Sequence, residues 1–247
     1  MGLNWHGVKF LAQARRSGAD FSRTIMIGRQ EFHTPMAKVR QILDAYALPY
    51  LMSDLYAMDT SKFVEPIFKL FGADTVDSMD TSNYESATVI ADLNIPIPIV
   101  LHNYYDLVYD GGTIEHIFDV KQALQNIMSL PRIGGRVIIH TMANNYFGHG
   151  FYQFSPELFY RAFSPENGYK VERVVLHADF EFARWYDIPD PTEVRGRIEL
   201  ANNRHGLMLF VSATRHAIVP VFEHPPQQSA TIPRFGRAVH RTFRAIP

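Results

Sequence analysis

Cysteine is absent from this chain. No disulfide, thiolate nucleophile or cysteine-held metal can be part of it. Net charge is nearly absent as well, at -1 over 247 residues. No global field therefore points to nucleic acid or to an anionic membrane surface. Long apolar runs are missing; none approaches the roughly 20 residues of a spanning helix. The start, MGLNWHGVKFLAQARRSG, lacks the apolar h-region of a secretory signal. The expectation is a cytoplasmic protein without a membrane partner, compatible with a homo-oligomer. Three motifs are missing too: the G-x-x-x-x-G-K-[ST] phosphate loop, the G-x-S-x-G elbow and the H-E-x-x-H zinc helix. Phosphate-loop and α/β-hydrolase chemistry are set aside, and no metal is expected from ligand spacing.

What is present alternates between short apolar runs and helical periods. Leu107, Val108 and Tyr109, bounded by Asp106 and Asp110 and followed by Gly111 and Gly112, read as a buried strand ending in a tight turn. Asp119 then caps a helix on which Val120, Ala123, Leu124, Ile127 and Met128 share a face. After a turn at Pro131 to Gly135, Arg136 to Met142 forms a second strand. Polar groups stand at the carboxyl end of each strand, where open α/β sheets bind ligands. Further strands are expected at 24–27, 75–79, 87–91, 171–176 and 207–213. Helices are expected after Thr34 (the cap) and Pro35, from about Glu65 until Gly72, and after Ser155 and Pro156. Residues 1–22 read as a helical lead-in with Val8, Leu11 and Ala14 on one face. Residues 1–215 read as one domain. Residues 216–247, rich in proline and arginine with Glu223 as the sole acid, read as an extended basic arm.

The block YDLVYDGGTIEHI at 105–117, with LPRIGGRVIIH at 130–140, resembles the central signature of class I S-adenosylmethionine-dependent methyltransferases. The resemblance implies a Rossmann-like doubly wound sheet of about seven strands, mostly parallel, with an antiparallel C-terminal hairpin. It also implies S-adenosylmethionine as cofactor and transfer of a methyl group to an oxygen or nitrogen of a small-molecule acceptor. Asp80 stands where the family places its ribose-binding acid; Asp77 competes for that role, and the plainer reading is a turn cap. Asp92 and Leu93 resemble the residues beside the adenine, or else Asp92 is an ordinary turn residue. Asp110, Gly111 and Gly112 match the floor beside the donor.

One departure stands out. The family usually has a glycine-rich turn after the first strand, and this chain has Gly28, Arg29 and Gln30. Either Arg29 or Gln30 binds the donor's methionyl end, or these side chains fill the site. In the latter case the protein is a non-catalytic binding module with the same fold. Residues 143–155, ANNYFGHGFYQFS, read as a loop, and FGHGFYQFSPELFY at 147–160 resembles a small branch of such proteins with a degenerate first glycine motif. His149, flanked by glycines, is a candidate general base, with His116 of the IEH motif as the alternative. Each also has a plainer reading: an exposed loop histidine, and a helix-start residue. With His149 exposed, Phe147, Phe151 and Phe154 would fill the core. Asn144, Asn145, Tyr152 and Gln153 are candidates for orienting a polar, sugar-like acceptor.

Overall fold

The computed structural model describes residues 2–194 and 204–229, together with a two-residue strand at 245–246. The rest of the expected arm, 230–244 and 247, lies outside the described residues.

Strand β4 (Tyr105–Asp110) is buried at every position, because both of its faces are covered. Its neighbours β1 (Arg23–Ile27) and β5 (Pro131–Asn144) pair with it in parallel. Alternate side chains enter two separate cores, as the period-2 geometry of a strand demands. Ile25, Ile27, Val108, Val137 and Ile139 lie in one core, whereas Met26, Leu107, Tyr109 and Ile138 lie in the other. The first core is closed by α5 (Val120–Ser129) and α6 (Pro156–Ala162). The second is closed by α1 (Trp5–Arg16), α2 (Met36–Ala45), α3 (Met52–Asp59) and α4 (Glu65–Leu70). The lead-in helix is thus part of the core, with Val8, Leu11 and Ala14 buried.

Parallel strands β2 (Thr75–Asp80) and β3 (Val89–Ile90) extend the sheet beyond β1. On the other side, β8 (Leu207–Arg215) inserts antiparallel between β5 and β6 (Tyr169–Ala178). Strands β7 (Trp185–Asp187) and β9 (Ala245–Ile246) continue past β6. The full order is β3-β2-β1-β4-β5-β8-β6-β7-β9. This is the mostly parallel Rossmann-like sheet with an antiparallel C-terminal hairpin that the sequence led us to expect. A short helix, α7 (Pro191–Val194), follows β7. Among the described residues no helix is long and apolar enough to cross a membrane.

Local signals explain most boundaries. The Asp119 side chain accepts the Gln122 N–H at 2.9 Å, and Ser155 accepts that of Glu157 at 3.1 Å. Two expectations need correcting. Thr34 does not cap α2; its hydroxyl donates to the Leu3 carbonyl at 3.2 Å, and the helix begins behind Pro35 without a side-chain cap. Residues 87–91 yield only the two-residue β3. The amino end of β4 is held by charge: Asp106, 2% exposed, accepts Arg23 Nε at 2.9 Å and also receives Arg132. Burial pushes its carboxyl up, but the bonds from Arg23 and Arg132 more than offset this and leave it below its ordinary value.

The segment after β8 runs back along the body. His216 and Ala217 N–H donate to the Gly168 carbonyl at 2.7 and 3.1 Å, and Phe222 is buried, with its N–H on Asn167. Ser229 is bonded through its N–H and hydroxyl to Glu157.

Candidate active site

The carboxyl ends of β1 and β4 meet at a crowded turn. Gly28 has φ +67, a conformation open to glycine at little cost. A Cβ there would come within 2.5 Å of Thr113 Oγ1. The next residues are committed to the protein itself. The Arg29 guanidinium donates to Glu65 Oε1 at 2.6 Å and to the Glu85 carbonyl at 2.7 Å, and it lies 4.0 Å over the Phe63 ring. Gln30 is buried, and its Nε2 donates to the Ile27 carbonyl at 3.0 Å. Its Oε1 has no partner among the described residues. A Cβ on Gly111 would meet that same Oε1 at 2.8 Å, so Gly111 is what lets the Gln30 amide pack against the turn after β4.

Asp110, fully buried, organises the turn after β4. Its Oδ1 accepts the Gly112 and Thr113 N–H groups at 3.2 and 2.8 Å, and its Oδ2 accepts the Ile114 N–H at 3.2 Å. Burial raises its carboxyl, against the pull of these three bonds. Glu115 follows on a single helical turn, Ile114–His116. It too is fully buried; its Oε2 accepts the Thr141 hydroxyl at 2.8 Å and its Oε1 has no partner among the described residues. Burial raises its carboxyl, and the Asp110 charge adds to the effect.

The two candidate bases come together. His116 Nε2 and His149 Nε2 are 3.1 Å apart, and a carboxylate oxygen of Glu115 completes a group whose atoms all lie within 4.8 Å of one another. Burial, and then His149, hold the His116 imidazole below its ordinary value. The loop reaches this position because it is stapled to Glu115 itself: the Phe151 and Tyr152 N–H groups donate to the Glu115 carbonyl at 2.7 and 3.3 Å. Gly150, with φ +68, permits the approach; a Cβ there would sit 2.8 Å from that carbonyl.

The acceptor candidates divide. Tyr152 OH donates to the Phe118 carbonyl at 2.7 Å, and Gln153 Oε1 accepts the Tyr146 N–H at 2.8 Å, so both brace the loop. Asn144 and Asn145 lie exposed at the end of β5, with Asn145 Nδ2 on the His205 carbonyl. The aromatics differ from expectation: Phe154 enters the core, but Phe147 and Phe151 are exposed. Phe151 meets the exposed Phe118 edge to face at 5.6 Å, forming an apolar rim. Thr113, Thr141 and Tyr146 were not singled out by sequence. Thr141 precedes the loop at the carboxyl half of β5, and that position was the available signal.

Along the sheet, Asp80 Oδ1 accepts the Ser82 N–H at 3.1 Å, closing the turn that the plainer reading expects while its carboxylate stays half-exposed. Asp77 is tied to Thr88 and to the Tyr105 hydroxyl. Asp92 holds Asn94 through both backbone and side chain, and Leu93 is buried beside it. The half-exposed Asp80 can accept hydroxyls, and Gln30 Oε1 is a buried acceptor in want of a donor beside a glycine that admits no side chain.

No protein-family model matches the chain, and neither does any curated protein. Solved structures do align with it over most of its length. An N-methyltransferase, NodS, from Bradyrhizobium japonicum aligns with 86% of this chain and 96% of its own, at 8% identity and a TM-score of 0.45. An S-adenosylmethionine-dependent methyltransferase from Thermotoga maritima aligns with 85% and 93%, at 12% and 0.40. A branched-chain polyamine synthase from Thermus thermophilus aligns with 87% and 58%, at 9% and 0.44. Identities this low leave the chemistry to the side chains of the site.

Proposed function

We propose that the protein is an S-adenosylmethionine-dependent methyltransferase that modifies an oxygen or nitrogen of a small polar, sugar-like acceptor. The observation that carries this reading is a pair of buried side-chain oxygens without partners among the described residues, Gln30 Oε1 after β1 and Glu115 Oε1 after β4, in the turns at the strands' carboxyl ends. Such ends are where sheets of this kind bind ligands. Bound there, the donor would supply an electrophilic methyl group. Asp80 would accept ribose hydroxyls, Asp92 and Leu93 would flank the base, and Gly28, Gln30, Asp110, Gly111 and Gly112 would line the methionyl end. Arg29 serves through its ion pair with Glu65, which fixes the turn.

The acceptor would meet the loop side. Phe118 and Phe151 offer an apolar surface to the C–H face of a sugar, and Asn144 and Asn145 offer polar groups. His149 removes the proton of an acceptor hydroxyl, with His116 orienting its ring, and the loop braces hold both in attack geometry. A second reading is favoured by Gln30 itself. Its amide packs against Ile27, Thr113 and Gly111 at the turns after β1 and β4, and a module that no longer takes a donor would look the same.

Calorimetry with S-adenosylhomocysteine, with NAD as control, separates the two. Asp80→Ala should weaken binding by about 1.5–3 kcal/mol, the worth of a charge-assisted hydrogen bond. Undiminished affinity moves the ribose role to Asp77. Absence of heat with the wild-type protein sinks the methyltransferase reading and leaves the module.

A further inference from the structure

We propose that Glu115, His116 and His149 form a binding site for one divalent transition-metal cation of the zinc or manganese kind. The two Nε2 atoms face each other at 3.1 Å. Two ligands on a tetrahedral ion, at about 2.0–2.1 Å each, stand about 3.3 Å apart, so the histidines already have nearly the spacing of a bound pair. A Glu115 carboxylate oxygen lies within 4.8 Å of both. It has to draw in by roughly 1–1.5 Å to reach ordinary metal–ligand geometry.

Three further observations point to a ligand. Glu115 is fully buried, yet its Oε1 has no hydrogen-bond partner among the described residues. Such an orphaned oxygen in a polar cluster calls for an ion or water. Its other oxygen is fixed by the Thr141 hydroxyl, the kind of outer contact that orients a metal-binding carboxylate. The loop that delivers His149 is bonded to the Glu115 backbone, so one residue sets the position of two ligands. His116 is exposed and His149 half-exposed, which leaves coordination positions open to water or to an acceptor hydroxyl. The proposal rests on the methyltransferase reading only for the use of the ion. A hydroxyl bound to it would release its proton to water more readily, and the histidines would serve as ligands instead of bases.

The test is titration of the chelator-treated full-length protein with Zn²⁺ and Mn²⁺, with Mg²⁺ for comparison, by calorimetry. Co²⁺ absorption in the visible range reports ligand type directly. One cation per chain should bind. Each of His116→Ala, His149→Ala and Glu115→Gln should weaken it on the order of tenfold or more, since even outer contacts of metal ligands are worth about 10–100-fold. His33→Ala, at an exposed histidine away from the cluster, should change nothing. Should Glu115→Gln fail to fold, the two histidine variants at accessible positions decide the matter. No saturable binding, binding indifferent to both histidine variants, or an equal loss in His33→Ala overturns the site. Cation binding that depends on the histidines supports it even where S-adenosylhomocysteine gives no heat. Donor binding without cation binding removes the site and leaves the methyltransferase reading standing.

Discussion

His140 and His177 reach over β8 and bring their Nε2 atoms to 3.1 Å, the same separation as His116 and His149 at the turn after β4. The surroundings differ in every other respect. The first pair is buried in a stack of rings: His140 lies 3.9 Å from Phe210, which itself stacks on Phe10 at 4.5 Å, and His6 lies 4.2 Å from His177. Its protons are fixed. Trp185 Nε1 donates to His6 Nδ1, so His6 Nε2 donates to the Phe180 carbonyl. His177 Nδ1 must donate to the Ala178 carbonyl, so its Nε2 accepts from His140. All three rings are neutral, and those bonded nitrogens are already committed. The second pair faces solvent, with a carboxylate oxygen nearby that has no partner among the described residues, and His116 and His149 bond to each other through their Nε2 atoms. An identical distance thus describes a closed structural contact in one place and an open chemical one in the other.

The comparison breaks most sharply at Phe210. Phe210→Ala should cost about 3–5 kcal/mol of stability by chemical denaturation, since the ring at the centre of the stack leaves a cavity. A loss below 1 kcal/mol would mean that the histidines do not depend on the stack.

Acid should act on the buried pair next. Burial drives His177 down to about 3, and it drives His140 well below its ordinary value. A histidine whose folded value is depressed stabilises the fold fully above the unfolded value of about 6.5, and that contribution is lost as pH falls, because the unfolded chain then binds more protons. Between pH 6.5 and 5, His177 alone should remove about 2 kcal/mol, with His140 acting in the same direction. Denaturant midpoints that do not fall over this range, or that fall equally in a His177→Gln variant, would contradict the assignment.

Gly150→Ala should have a middling effect of about 1–2 kcal/mol, the cost of a side chain in the left-handed region. It would also push the loop off the Glu115 carbonyl and separate the exposed pair. His149→Ala should be nearly silent in stability, within about 0.5 kcal/mol. Turnover with an acceptor found by screening should nevertheless fall about 10²–10⁴-fold. Full activity in His149→Ala with loss in His116→Ala would move the base to the turn.

The two regions were unequally legible in the sequence. Asp110, Gly111, Gly112, Glu115 and His116 are neighbours in the chain, and a strand followed by glycines announces where they sit. His149 was readable as a loop histidine, but its meeting with His116 depends on a carbonyl contact 36 residues away in sequence, between Glu115 and Phe151. Nothing local marked His6, His140 and His177, because their relation spans α1, β5 and β6. Helix α3 escaped because Leu55 and Met58 are buried while Met52 and Tyr56 are exposed, so its apolar residues do not mark one face in the sequence. The same holds for the Thr34 hydroxyl: Leu3 claims it, and a cap reading sees only the neighbours that follow.

The insertion of β8 between β5 and β6 has a consequence for how this protein is made. A chain emerging from the ribosome presents β5 and β6 long before residues 207–215 exist to bridge them. Until then each has an unpaired edge, and a ribbon of unmatched amides invites association with other chains. Pairings so distant in sequence form slowly. Nascent chains stalled short of Arg215 should therefore lean on chaperones, and release from them should coincide with the arrival of a strand that is late in synthesis but central in space.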